Sequence, residues 1–220
     1  MRVTSQAMQY DASPSTQLPP CAASLTPDEA LPPPSGGAGD SVARQHYGRV
    51  IAALLYAHNL VTPLCWGSWT AYGGAPIAGS PAARDAAYVH ALIHRQEGSC
   101  DGEFGSGWSN ANYWYSSASA ASHPIAPRLA DAARRLAQGD AELEKAAASL
   151  TAAGGGGAAG KGGAGGTWDP LRFVGLCARA AEGGDARLLG YCGQLMGREV
   201  ELLLDHCYEA AAAAAAGRKT

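Results

Sequence analysis

Apolar residues recur at three- and four-residue spacing in several long stretches of the chain, and nowhere alternate with polar ones over the length a strand requires. This periodicity predicts an all-α fold, a compact bundle of about six or seven helices in antiparallel pairs. The first is expected over 41–60, where Asp40 is a cap and Tyr47, Val50, Ile51, Leu54, Leu55 and His58 form one stripe. A second is expected over 81–97, opened by Ser80 as cap and Pro81 in the first turn and closed by Gly98. A glycine- and acid-rich turn follows, and Ser109 is read as the cap of a third helix carrying NANYWYSSASAAS.

Leu129, Leu136, Leu143 and Leu150 are spaced by seven, the repeat of helices that lay one seam on their neighbours, with Gly139-Asp140 as the place to split them. Asp169-Pro170 opens another helix, Gly183-Gly184 ends it, and Asp185 opens the last. That last helix places Leu188, Leu189, Cys192, Leu195, Met196, Glu199, Leu202, Leu203 and His206 on one broad face. Gly190, Gly193 and Gly197 within it are expected to admit a closely packed backbone.

Two stretches fall outside the pattern. Residues 1–40 hold seven of the thirteen prolines and no apolar period, so burial would not offset the entropy of ordering them, and a disordered arm is expected. Residues 154–166, with nine glycines, read as a flexible loop of roughly 20 Å reach. The expected organisation is therefore one helical domain over 41–216, interrupted by the 154–166 loop. The helices beyond the loop are too short a piece to stand alone.

Composition narrows the function. Charged residues are only 16% of the chain, the net charge is −3, and no cluster of Lys and Arg provides the footprint that phosphate neutralisation needs, so nucleic acid is excluded as an expected partner. No window is apolar enough for a membrane span. The six cysteines show no CxxC spacing and no apolar export segment follows Arg2, so free thiols and a cytoplasmic location are expected. Cys177, Cys192 and Cys207 lie in apolar patterns and are read as core residues.

Chemistry concentrates in residues 90–115, HALIHRQEGSCDGEFGSGWSNANYWY. His90, His94 and Glu97 stand at i, i+4 and i+7, on one helix face, and two imidazoles with a carboxylate one turn on form a zinc- or iron-capable set, with Glu103 in the following turn as a further ligand. The zinc-protease motif is denied, because Ala91 stands where its glutamate belongs. Trp108, Asn110, Tyr113 and Trp114 belong to the densest aromatic patch in the chain, where side chains with apolar bodies and polar tips suit a ligand or partner surface. The glycines of GEFGSG follow a helix and not a strand and sit among acids, which argues against a phosphate cradle.

His94-Arg95-Gln96-Glu97-Gly98 followed by Asn110-Ala111-Asn112-Tyr113-Trp114 resembles the His-Arg-x-Glu-Gly and Asn-Ala-x-Tyr-Trp pattern of an uncharacterised group of bacterial and fungal proteins. The resemblance covers about two dozen residues and implies no activity. Here Ser99 replaces an acid, the turn is lengthened by CDGEFGSGWS, and Ser116-Ser117 stand in place of paired arginines. Two functions follow as expectations: a helical binding or scaffolding domain that presents the 108–115 surface to a protein or small molecule, or, as the alternative, a metal-dependent hydrolase or oxygenase with its His/Glu site on helix 81–97.

Overall fold

The computed structural model describes residues 65, 78–99, 101–102, 105–151 and 167–216. The expected arm 1–40, the helix expected over 41–60, the 154–166 loop and Glu103 lie outside the described residues. The described chain is almost wholly helical, with six α-helices: α1 (Pro81–Glu97), α2 (Gly107–Ser117), α3 (Ala126–Ala137), α4 (Ala141–Thr151), α5 (Pro170–Gly183) and α6 (Ala186–Ala215). Between α1 and α2 runs a two-residue antiparallel ladder, β1 (Asp101–Gly102) with β2 (Gly105–Ser106), the only strand pairing among the described residues.

The helix starts follow from capping chemistry. Ser80 Oγ accepts from the Ala83 amide at 3.2 Å, Asp140 Oδ1 from Glu142 and Leu143, Asp169 Oδ1 from Leu171 and Arg172, and Asp185 Oδ1 from Arg187 and Leu188. Each cap satisfies amides that have no partner within their own helix, worth about 1 kcal/mol apiece. One start differs from the sequence expectation. Ser106, not Ser109, caps α2: its Oγ accepts from the Ser109 amide at 3.3 Å, and the Ser109 hydroxyl donates back to the Ser106 carbonyl at 2.8 Å. The capping signal was present at both serines, and the ladder that delivers Ser106 to the helix mouth chose between them.

The chain forms two compact units. The first comprises the described residues up to Ala118 together with those from Leu203 onward, the second the described residues from Ser119 to Leu202, so α6 contributes its two ends to different units. In the first unit, α1 and α2 run antiparallel in close contact, with Trp108 against Gly98 at one end and Trp114 against His90 further along. Their core combines Tyr88, Val89, Leu92 and Tyr115 with Ala86, Ala91 and Ala111. The alanines serve as the thin residues that let the helices approach, although the large aromatics contribute most of the buried area.

In the second unit, Gly139 at φ +87° breaks the leucine seam into α3 and α4. Leu129 and Leu150 are fully buried, while Leu136 and Leu143 are half-buried. α6 lies antiparallel to α3, fixed by Tyr191 donating to the Ala133 carbonyl at 3.2 Å and Arg187 donating to Asp140 at 3.1 Å. The Asp169 amide joins the start of α5 to the end of α4 through the Leu150 carbonyl.

Two details of α6 overturn the expectation. Leu189 is 42% exposed, outside the apolar face, and a Cβ at Gly190, Gly193 or Gly197 would meet nothing within 4 Å. The glycines lie opposite the buried face, so they mark the outer side of the helix and not a close crossing.

Among the described cysteines, Cys65 and Cys207 carry free thiols. Burial and then the nearby Asp85 charge hold the Cys207 thiol well above its usual value. A raised folded-state value makes stability full below the ordinary thiol range near 9 and lost as pH climbs above it, because the unfolded thiol ionises where the folded one does not. Unfolding free energy is therefore expected to fall across the alkaline range above pH about 8, by up to about 1.4 kcal/mol per pH unit for each such group. Tyr191, raised by burial, adds to the same limb from the ordinary tyrosine range. Urea titrations across that range should show a shallower decline for Cys207→Ala than for wild type; equal slopes would remove Cys207 from this account.

Candidate functional site

α1 and α2 bring most of the chemically interesting side chains of the first unit to one ridge, and the reason is local. His90, His94 and Glu97 follow the helical repeat, so one face of α1 carries all three. Trp114 projects from the adjoining flank of α2 and stacks on His90, ring centroids 4.0 Å apart and planes 21° apart. His90 in turn stacks on His94 at 4.8 Å and 19°. Glu97 Oε2 stands 2.6 Å from His94 Nδ1, and Tyr113 meets Trp114 edge-on at 5.2 Å. The result is one continuous run: Tyr113, Trp114, His90, His94, Glu97.

Exposure is graded along this run. His90 is buried, His94 and Glu97 are mostly buried, Trp114 is half-buried, and Tyr113 is 61% exposed, the most exposed large apolar side chain among the described residues. Asn110 lies on the Trp114 side of α2, its amide donating to the Gly105 carbonyl at 3.5 Å. Trp108 is on the opposite flank, its six-membered ring 3.2 Å from where a Gly98 Cβ would stand. Of the four residues expected to form an aromatic surface, Asn110, Tyr113 and Trp114 are thus neighbours, and Trp108 is apart from them. One helical turn separates Trp108 from Asn112, and the buried Trp108 Nε1 and Asn112 Oδ1 have no hydrogen-bond partner among the described residues.

For the expected metal set the structure assigns His90, His94 and Glu97 to one face. The two imidazoles meet face to face, so their in-plane lone pairs run side by side, while Glu97 fixes the ring of His94 through Nδ1 and leaves Nε2 as its other ring nitrogen. Behind this ridge lies a buried guanidinium that sequence reasoning did not single out as functional. Arg95, 2% exposed, donates from Nη1 to the Tyr115 hydroxyl at 2.6 Å and stands 5.7 Å from that ring's centroid, and Tyr115 packs edge-on against Tyr88. The pair locks α1 to α2 beneath the ridge.

A second carboxylate–imidazole contact was also missed. Asp85 is fully buried, with His206 Nε2 from α6 at 3.3 Å and Arg84 Nε at 3.9 Å. Both ligand types favoured by first-row divalent metals are present in this pair. The signal was in the sequence. Asp85 shares the stripe of Ala82, Val89 and Leu92, an acid in an apolar row, and His206 ends the apolar row of α6; only the fold sets them opposite each other.

No helix among the described residues is long and apolar enough to cross a membrane. No protein-family model, curated protein or solved structure matches the chain, so the reading of function rests on its own residues.

Proposed function

We propose that this is a binding module whose recognition surface is the α2 edge formed by Asn110, Tyr113 and Trp114. The observation that carries this reading is the pairing of Tyr113, 61% exposed, with a half-buried Trp114 held on its far face by His90. An exposed aromatic ring whose neighbour is already immobilised loses little further entropy on docking, the arrangement by which aromatic anchors dominate interfaces. The occupant is a peptide segment or small molecule with an apolar body, and Asn110 supplies polar selection at the rim.

Tyr113→Ala tests it. Because the ring is on the surface, thermal stability should change by no more than about 0.5 kcal/mol, while affinity for any partner recovered by the intact chain should drop about thirtyfold, the loss of a hot-spot residue. Partners retained at unchanged affinity would overturn the reading.

A metal-dependent activity is the second reading, favoured by the Glu97–His94 contact, in which a carboxylate orients an imidazole as in metal sites, and by the Asp85–His206 pair. Untagged protein should then purify with close to one equivalent of zinc or iron, falling when His94→Ala or His206→Ala removes the site that holds it. Less than about a tenth of an equivalent, unrestored by added metal, would end this reading, since metal sites that matter bind tightly at neutral pH.

A further inference from the structure

In the second unit a cavity of about 350 Å³ lies between the second half of α3 and the middle of α6, within the size range of small-molecule sites. We infer that it binds a small organic carboxylate with a flat apolar body. Two guanidiniums, Arg135 from α3 and Arg198 from α6, line it against a single carboxylate, Glu201, so the lining holds one net positive charge.

The two arginines differ in what already holds them. Arg198 Nη1 donates to Glu201 Oε2 at 2.7 Å, a pair three residues apart on one helix that fixes this guanidinium at the wall. Arg135 is exposed and makes no hydrogen bond or ion pair with any described residue. Asp131, one turn earlier on the same helix, would be its local partner but is taken by Arg134. The fork of Arg135 is thus unengaged at the cavity, and its shape matches a carboxylate through two parallel hydrogen bonds. An anion there also relieves the repulsion between two like charges brought to one space by separate helices.

The apolar part of the cavity selects the rest of the ligand. Ala132 and Leu136 share the face of α3 that carries Arg135, and Gly197 leaves bare backbone in the α6 wall, since a Cβ there would meet nothing within 4 Å. Glycine weakens a helix interior relative to alanine, and no packing among the described residues requires it at this position, so open space is what it provides. A planar ring lying on that backbone stacks on a guanidinium plane while its carboxylate meets Arg135, and the Gln194 amide offers a neutral hydrogen bond at the rim. A bare phosphate would leave Ala132 and Leu136 without contact, and a cation would face two guanidiniums.

Saturation-transfer NMR on the full chain, with sodium benzoate as probe, tests this. Benzoate should give a saturable signal, and benzamide, with the same ring and no charge, should bind at least about tenfold more weakly. Arg135→Met keeps most of the alkyl stem and removes the fork, and should weaken benzoate about tenfold with the thermal midpoint unchanged, because the side chain is exposed and unpaired among the described residues. Gly197→Leu should abolish binding by filling the space without lowering the thermal midpoint, since leucine is the better helix former. Glu201→Gln should act in the opposite direction, tightening benzoate about threefold by releasing Arg198 and removing the opposing charge. No saturable benzoate signal, or wild-type affinity in Arg135→Met or Gly197→Leu, overturns the site; equal affinity for benzamide, or no gain in Glu201→Gln, overturns its assignment to an anion. Neither result bears on the α2 surface, which lies in the other unit.

Discussion

Gly107→Ala is expected to destabilise the first unit by about 3 kcal/mol, near the top of the range for overpacking. The reason is distance. A Cβ at this position would stand 2.4 Å from the His94 carbonyl oxygen, 2.7 Å from Glu97 Cβ and 2.8 Å from the Gly98 amide nitrogen. Two of those three atoms are backbone in the last turn of α1, which cannot retreat without giving up its own hydrogen bonds. α2 must therefore move outward, and the Trp114–His90 stack opens with it. Urea unfolding should register the loss, and tryptophan emission the change around Trp114. Gly193→Ala is the control with the opposite sign: it meets nothing within 4 Å on an exposed helix face and should stabilise by up to about 1 kcal/mol through helix propensity. A Gly107→Ala chain as stable as wild type would show that the two helices are not held at this spacing.

The second large effect is expected at Arg95. Arg95→Ala removes a buried guanidinium, leaves the space it filled, and strands the Tyr115 hydroxyl, so about 3–5 kcal/mol should be lost. Tyr115→Phe is milder, about 1–3 kcal/mol, because it deletes one acceptor while the ring still packs on Tyr88 at 5.2 Å. In the double variant the two losses should not add, and the shortfall measures the coupling between the helices. Additive losses would mean that Arg95 is held by other groups and that the 2.6 Å contact contributes little.

Much of the local organisation was legible because it depends on neighbours in the chain. Ser80, Asp140, Asp169 and Asp185 cap the helices they precede, Gly98 and Gly184 end helices at positive φ, and the break at Gly139 splits the leucine seam where the pattern indicated. The alignment of His90, His94 and Glu97 was equally legible, since helical period alone puts them on one face. The misreadings have a common origin. Ser109 as cap, the glycines of α6 as a close crossing and Leu189 as a core residue all required knowing which side of a helix meets another element.

The chain's own sequence determined the helices, their caps and breaks, and which side chains share each face, because those follow from interactions over three or four residues. Tertiary packing alone decided that Trp114 immobilises on His90, that Tyr113 stays in water, that Arg95 finds Tyr115 and that Asp85 finds His206. Those partners lie between 20 and 121 residues apart in the chain, and no local preference carries the rotation of one helix against another. That rotation is settled when whole faces compete for burial, which is why the residues of the site were visible in the sequence before their arrangement was.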